Sequence, residues 1–269
     1  MSIITISRGS YSMGKEVAEK VASALHYECV SRDIILEASE QFNIPEMKLT
    51  RALHDAPSVF DRFTYGKERY LAYFRAALLN HVRADNVVYH GLAGHFLLQQ
   101  VPNVFKIRII ADIKDRVKEE MKRESISAAD ARYILKKDDD ERRRWGFHLY
   151  GMDTWDASLY DMVLHIKSMS VDDAVSIIIK SVELPCFQLM STSKRILNDL
   201  ALAAEVQAAL FKEFPVADVR SKSGKVSVIV KAPLDMEKEI TAKVDAIAKT
   251  IHGVAEVTVE IVDTSTTAD

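Results

Sequence analysis

The spacing of hydrophobic positions changes repeatedly along the chain. Ile3-Ile4-Thr5-Ile6-Ser7 is a β-branched run bounded by Arg8-Gly9, and it reads as a buried strand. From Gly14 onward Val17, Val21, Ala24 and Leu25 recur at helical spacing, which predicts a helix to about His26. A short strand near 27–30 and a helix over 32–41 follow. Residues 46–83 read as mainly helical, with breaks at Pro57 and Gly66. Further strands are predicted at 86–90, 105–111 and 162–166, interleaved with helices from Ile113 and Ser127. A capping-box-like start, Ser170 with Asp173 three residues on, opens the next helix. Strands separated by helices imply crossover connections, hence an α/β unit whose parallel sheet is covered on both faces.

That rhythm ends near Val182. Pro185 and the hydroxyl run Ser191-Thr192-Ser193 predict a linker over 185–193, which closes a first unit at 1–184. The rest predicts a helix over 194–214 with the stripe Leu197, Leu200, Val206, Ala209 and Leu210. A hairpin around Ser223-Gly224, a helix over 236–251 and a strand over 254–262 complete it. This is a small α+β domain at 194–263, followed by a tail at 264–269 that is expected to fray.

Composition narrows the function. The 36 basic and 39 acidic residues sum to −3, so nothing drives the chain globally toward nucleic acid or an anionic membrane, and an anion site must be built locally. No run approaches the ~18 consecutive apolar residues of a spanning helix. The start carries no basic n-region followed by a long apolar stretch, so it does not read as a signal peptide. Cys29 and Cys186 are far apart and form no metal-ligand cluster, which suits a reduced, cytoplasmic protein.

The first strand leads into Gly9-Ser10-Tyr11-Ser12-Met13-Gly14-Lys15-Glu16. Both glycines and the lysine of G-x-x-x-x-G-K-[ST] are present, in the strand-loop-helix context that lets backbone amides and a helix N-terminus wrap a phosphate. The eighth position is Glu16 where a hydroxyl for Mg²⁺ is usual. A carboxylate there suits the helix dipole but repels phosphate unless a cation intervenes. The bland alternative is a tight strand-to-helix turn with a solvated Lys15.

Ile4-Thr5-Ile6-Ser7-Arg8 and Gly14-Lys15-Glu16-Val17-Ala18 together resemble the opening of the cytidylate kinase-like proteins, P-loop relatives of the nucleoside monophosphate kinases, in which Glu at the eighth loop position is usual. Three later segments continue the resemblance. Ser31-Arg32-Asp33-Ile34-Ile35 is similar to the family's D-R-E-I-I, with Ser31 in place of the acid. Asn86-Val87-Val88-Tyr89-His90-Gly91 takes the place of V-I-V-G-R-G, with His90-Gly91 where Gly-Arg is expected. Asp139-Asp140-Glu141-Arg142, Tyr150-Gly151 and Tyr160-Asp161 follow its D-x-x-R, Y-x-G and Y-D spacing. The resemblance spans about 2–182 and implies a P-loop NTPase-type sheet with a helical lid. It also implies ATP and Mg²⁺ as cofactors, and a nucleoside triphosphate and monophosphate as partners.

Residues 136–144 pack five basic and four acidic side chains into nine positions. Phosphoryl transfer is largely electrostatic, and a mobile lid is the usual source of the arginines that stabilise the migrating group. By the family's spacing Arg142 is the catalytic candidate beside Lys15, Asp139 orients it, and Arg143 is a weaker lid candidate. The bland reading is a solvated helix with i,i+4 pairs Asp138–Arg142 and Asp139–Arg143. Arg32 and Asp33 are candidates for contacting the acceptor, or only a helix cap. His90 and His95 flank a Gly-rich turn without a nearby carboxylate, so no metal site is assigned there. The order helix, hairpin, helix, strand and the motif Gly253-Val254-Ala255-Glu256-Val257 resemble a BON-like domain. It implies binding of a protein or small ligand, or homo-oligomerisation.

Two functions follow as expectations. One is ATP-dependent phosphoryl transfer to a CMP-like nucleoside monophosphate. The other is a nucleotide-sensing module that has lost turnover and signals through the C-terminal domain.

Overall fold

A computed structural model describes residues 2–10, 12–54, 66–91 and 93–263, with the backbone alone at 52–54 and 66–67. The expected break at Pro57, Tyr11 of the phosphate loop and the expected fraying of 264–269 lie outside the described residues.

The first unit runs β1 (Ile3–Arg8), α1 (Gly14–Leu25), β2 (Glu28–Val30), α2 (Asp33–Phe42), α3 (Glu46–His54), α4 (Gly66–Val82), β3 (Val87–His90) and α5 (Gly94–Leu97). It continues with β4 (Val104–Ala111), α6 (Ile113–Glu124), α7 (Ala128–Tyr150), β5 (Met162–Ile166) and α8 (Val171–Val182). The five strands form one sheet in the order β2-β3-β1-β4-β5, parallel throughout. Central β1 is buried on both faces, and this explains its unbroken β-branched run. Ile3 packs with α2, α4 and Trp145 on one side, whereas Ile4 and Ile6 pack with α1 and α8 on the other.

Local signals set the helix ends. Ser127 accepts from the Asp130 amide to open α7, and Ser170 with Asp173 forms a complete capping box on α8. His26 and Asn43 close α1 and α2 in the left-handed conformation.

Beyond α8, Pro185–Phe187 make a 3-10 turn and α9 (Ser191–Leu210) already begins inside the expected linker. The hydroxyl run that suggested a loop is its first turn. Helix α9 serves two cores. Leu197, Ala201, Ala204 and Ala208 join the core that holds α2 and α4, while Val206 and Leu210 face a second core. Arg83 donates to Asn198 at 3.0 Å, and Asn80 bonds Glu205. The second core lies under β6 (Asp218–Lys222), β7 (Lys225–Lys231) and β8 (Glu256–Val262), with α10 (Glu237–Ala248). β6 is antiparallel to β7 and β8 is parallel to it, so this is a separate small mixed sheet. Among the described residues no single helix is long and apolar enough to cross a membrane.

Candidate active site

The loop joining β1 to α1 lies at the carboxyl end of the central strand. Gly14 has to be glycine, because a Cβ there would lie 2.6 Å from that of Arg8. Met13, the residue before it, adopts φ 63°, a left-handed conformation that a side chain makes costly. Ser10 and Ser12 are buried, and the Ser12 hydroxyl donates to the Gly9 carbonyl at 3.0 Å. Lys15 points outward along α1, its side chain 66% exposed and 3.6 Å from Glu19. Glu16 pairs with Lys20 at 3.0 Å, so its charge is balanced along the helix instead of facing the loop alone. Lys20 also donates to Asp172 at 2.8 Å, and its hydrogen bonds to Asp172 and then to Glu16 raise its pKa.

Helices α6 and α7 close over this loop as a hairpin with its own small core of Val117, Ala131 and Leu135. The Ser10 hydroxyl donates to Asp138 at 2.9 Å. Arg116 of α6 donates from Nε to the Ser10 carbonyl at 2.7 Å, and from its two terminal nitrogens to the Asp139 carboxylate at 2.7 and 2.9 Å. Its guanidinium also limits Gly9, where a Cβ would meet it at 3.3 Å. This forked, buried pair ties α6, α7 and the loop together. Asp139 therefore bonds Arg116 and not Arg142, the partner its spacing suggested. Arg116 carries no motif in the sequence, and its partner is 23 residues away on another helix, so nothing local marks it.

Arg142 reaches the loop independently, donating to the Arg8 carbonyl at 3.3 Å. Burial pushes its guanidinium below the usual range. Asp138 and Asp139 oppose that shift, while Arg116 and Arg108 add to it. Of the i,i+4 pairs of a simple solvated helix, Lys137–Glu141 forms at 3.9 Å, but Asp138 bonds Ser10 and Arg143 donates from Nε to Asp153 at 3.0 Å while lying 4.5 Å from the Trp155 ring centre. Of the acceptor-side candidates, exposed Arg32 pairs with Glu46, and Asp33 accepts from the Ser31 amide at 3.2 Å. Arg32 gives α2 no side-chain cap.

The end of β3 and the first turn of α5 supply two buried, neutral histidines. Desolvation, then Arg8 and Lys15, lower His90 to about 4, with Asp33 opposing. Desolvation, then Arg108, lowers His95 to about 3. His95 Nε2 lies 3.3 Å from the Tyr160 hydroxyl, which donates to the Thr154 carbonyl at 2.9 Å. Among the described residues no three His, Cys, Asp or Glu side chains converge as a metal cage.

Open space flanks the hairpin on both sides. A cavity of about 550 Å³ in front of the loop is lined by Ser10, Gly14, Lys15, Glu16, Asp138 and Arg142. A groove of about 800 Å³ runs from Gly9 and Ser12 between α7 and the β4–β5 face, past Arg108, Arg132 and Trp155.

A strand, a glycine-bounded loop and a helix at the centre of a parallel sheet, with a basic helical hairpin closing over them, define a P-loop kinase-type fold. Residues 3–168 match the model of the cytidylate kinase-like family, and the chain belongs to that family. An uncharacterized protein from Eubacterium ventriosum shares the fold, with a TM-score of 0.51 and 22% identity over 68% of this chain and 99% of that one. The shikimate kinase of Bacteroides thetaiotaomicron matches over the same 68% of this chain and 99% of its own, at TM-score 0.43 and 8% identity. Shikimate kinase from Acinetobacter baumannii, solved with shikimate, matches over 68% of this chain and 93% of its own, at TM-score 0.39 and 11% identity. Comparison with curated proteins gives no match.

Proposed function

We propose that the protein transfers the γ-phosphoryl group of ATP to a nucleoside monophosphate, CMP-like as the resemblance implies. The observation that carries this reading is the closure of the α6–α7 hairpin on the loop through Arg116, Asp138 and Arg142. It brings a fixed cation and a set of amides to one point at a helix N-terminus, the arrangement that stabilises charge on a migrating phosphoryl group.

The loop amides and the start of α1 hold the donor phosphates. Lys15 turns inward at little cost, because an exposed pair such as that with Glu19 contributes only ~0.2–1 kcal/mol. Ser10 exchanges Asp138 for a phosphate oxygen, and Arg142 neutralises charge on the transferred group. Arg32, Asp33 and Arg143 remain candidates for the acceptor and lid contacts. Glu16 and Asp138 at the loop cavity are oxygen donors of the kind Mg²⁺ takes together with substrate phosphates, so the residues present fit that ion. Bound there, it would screen the donor's negative charge.

A second reading, a nucleotide-sensing module without turnover, is favoured by one observation: Ser10 and Ser12 already bond protein acceptors, and Met13 strains the loop. The helix α9 and the small sheet beyond it form the BON-like unit in either case, with a kinase-like domain at 1–184 and the BON-like domain at 194–263. Its role is to bind a protein or small ligand, or a second copy of the chain, in the cytoplasm. A coupled assay over a panel of nucleoside monophosphates tests the first reading. Turnover with one acceptor class, lost in Lys15→Ala and Arg142→Ala, is expected. No turnover with any acceptor, beside tight ATP binding, leaves the sensing module.

A further inference from the structure

The small C-terminal sheet ends on a strand whose outer edge is open. β8 comes last in the order β6-β7-β8 and pairs with β7 alone. The Glu256 amide donates to the Gly224 carbonyl at 3.3 Å, and the Val262 carbonyl accepts from the Ala232 amide at 3.1 Å. The even-numbered residues of β8 therefore turn their backbone groups toward β7. Alternation turns the N–H and C=O of Val257, Val259 and Ile261 the other way, outward. Among the described residues none of these outward groups has a hydrogen-bond partner. Such an edge is a template for another strand, and proteins usually blunt it with lysine, proline or a bulge. β8, Glu256-Val257-Thr258-Val259-Glu260-Ile261-Val262, carries none of the three and pairs with β7 without interruption. The other edge strand, β6, carries Arg220 and Lys222 and lies against α9.

The side chains of β8 are sorted by face. Glu256, Thr258, Glu260 and Val262 are exposed, whereas Val257, Val259 and Ile261 are half-buried against the core that holds α10. The strand that fits this edge is a second copy of β8. In an antiparallel pair the outward-turned residues must face one another. A two-fold axis through Val259 meets that condition: Val259 faces its own copy, and Val257 faces Ile261 across the axis. Every outward N–H and C=O then finds a mate, and only apolar side chains meet on the core face. On the outer face Glu256 meets Val262 and Glu260 meets Thr258, so no carboxylate opposes another. Sliding the register by two residues either way destroys this match, because Glu256 then faces Glu260 or Glu260 faces its own copy. The edge is self-complementary in one register, as an isologous contact requires.

We propose that the chain forms a two-fold homodimer through antiparallel pairing of β8 with β8, which joins two small sheets into one. Of the binding roles open to the C-terminal unit, this selects a second copy of the chain. It stands apart from the phosphoryl-transfer reading of the first unit.

Sedimentation velocity of the full chain over a micromolar concentration series reads the association directly. Wild type is expected to sediment with twice the mass of one chain at the upper end of the series. Thr258→Glu, on the exposed face, sets a carboxylate opposite Glu260 at two symmetric places. Like charges directly opposite are destabilising, and two such pairs predict a loss of about tenfold in dimer affinity. Thr258→Glu/Glu260→Lys places opposite charges across the axis and restores at least the wild-type affinity. Val259→Pro removes an outward donor at the axis without breaking a bond to β7, and it gives a monomer. If that variant does not fold, the two exposed-face variants still decide the matter. Wild type that stays monomeric throughout overturns the proposal. A dimer that Thr258→Glu leaves unchanged overturns it too, since its interface then lies elsewhere, as does a weakened dimer that the double variant fails to restore. Turnover is not part of this readout, so failure of the phosphoryl-transfer reading leaves the result untouched.

Discussion

Replacing Asp139 by leucine isolates the contact on which the loop's closure depends. The Arg116–Asp139 pair is forked, with side chains only 10% and 14% exposed. Removing one partner leaves Arg116 buried with the Ser10 carbonyl as its remaining hydrogen-bond acceptor, and breaking a buried pair in this way costs about 3–5 kcal/mol. At about 2–4 °C per kcal/mol for a chain of this size, the melting temperature falls by about 6–20 °C. Glu19→Ala serves as the comparison, because it removes an exposed pair with Lys15 and shifts stability by at most about 1 kcal/mol. The double variant Arg116→Met/Asp139→Leu replaces the pair with apolar side chains and recovers most of the loss. Calorimetric melting of wild type, Arg116→Met, Asp139→Leu, the double variant and Glu19→Ala is the assay, with hydrogen exchange at the loop amides as a local readout. A melting temperature for Asp139→Leu no lower than that of Glu19→Ala, or a double variant as unstable as the sum of its singles, would refute the brace.

Three further outcomes are expected. Ser170→Ala removes the capping box of α8 and costs about 1 kcal/mol, seen as a lower urea midpoint with unchanged slope. His90 and His95 stay neutral in the fold at about 4 and about 3, so the unfolded chain binds more protons below the ordinary histidine pKa of 6.5. Their contribution is present in full above that pH and declines as pH falls toward 4 and then 3, at about 1.4 kcal/mol per pH unit for each. Urea midpoints against pH, with His95→Asn flattening the slope, check this. Leu197→Ala, although in α9, loosens the core around α4 and costs about 2–5 kcal/mol, read as faster hydrogen exchange at α4 amides.

The parts legible in the sequence are those encoded by local chemistry. The β-branched run of β1, the glycines of the loop, Ser127 and the Ser170–Asp173 box each act within a few residues, so spacing alone reveals them. Arg116 was not legible, since a buried ion pair between two helices leaves no periodic trace. The same holds for Asp139, whose D-x-x-R spacing pointed to Arg142 while tertiary packing placed Arg116 nearer. Helix α9 misled for another reason. Proline and hydroxyl residues mark loops and helix starts equally, and only the two opposed apolar stripes, Leu197 with Ala201 and Ala204 against Val206 with Leu210, tell that the helix is shared. Arg108 reads as part of a strand pattern, and only the pairing of β4 with β1 sets it beside Ser7.

The central claim is that the loop at 9–16 binds nucleotide phosphates under the α6–α7 hairpin. Calorimetric titration of ATP with Mg²⁺ into the full chain tests it most directly. The account predicts one saturable site, weakened at least tenfold by Arg142→Ala, because a charge-assisted contact with phosphate is lost. Absence of binding by ATP, ADP and every other nucleotide, or equal affinity in Arg142→Ala, would contradict it.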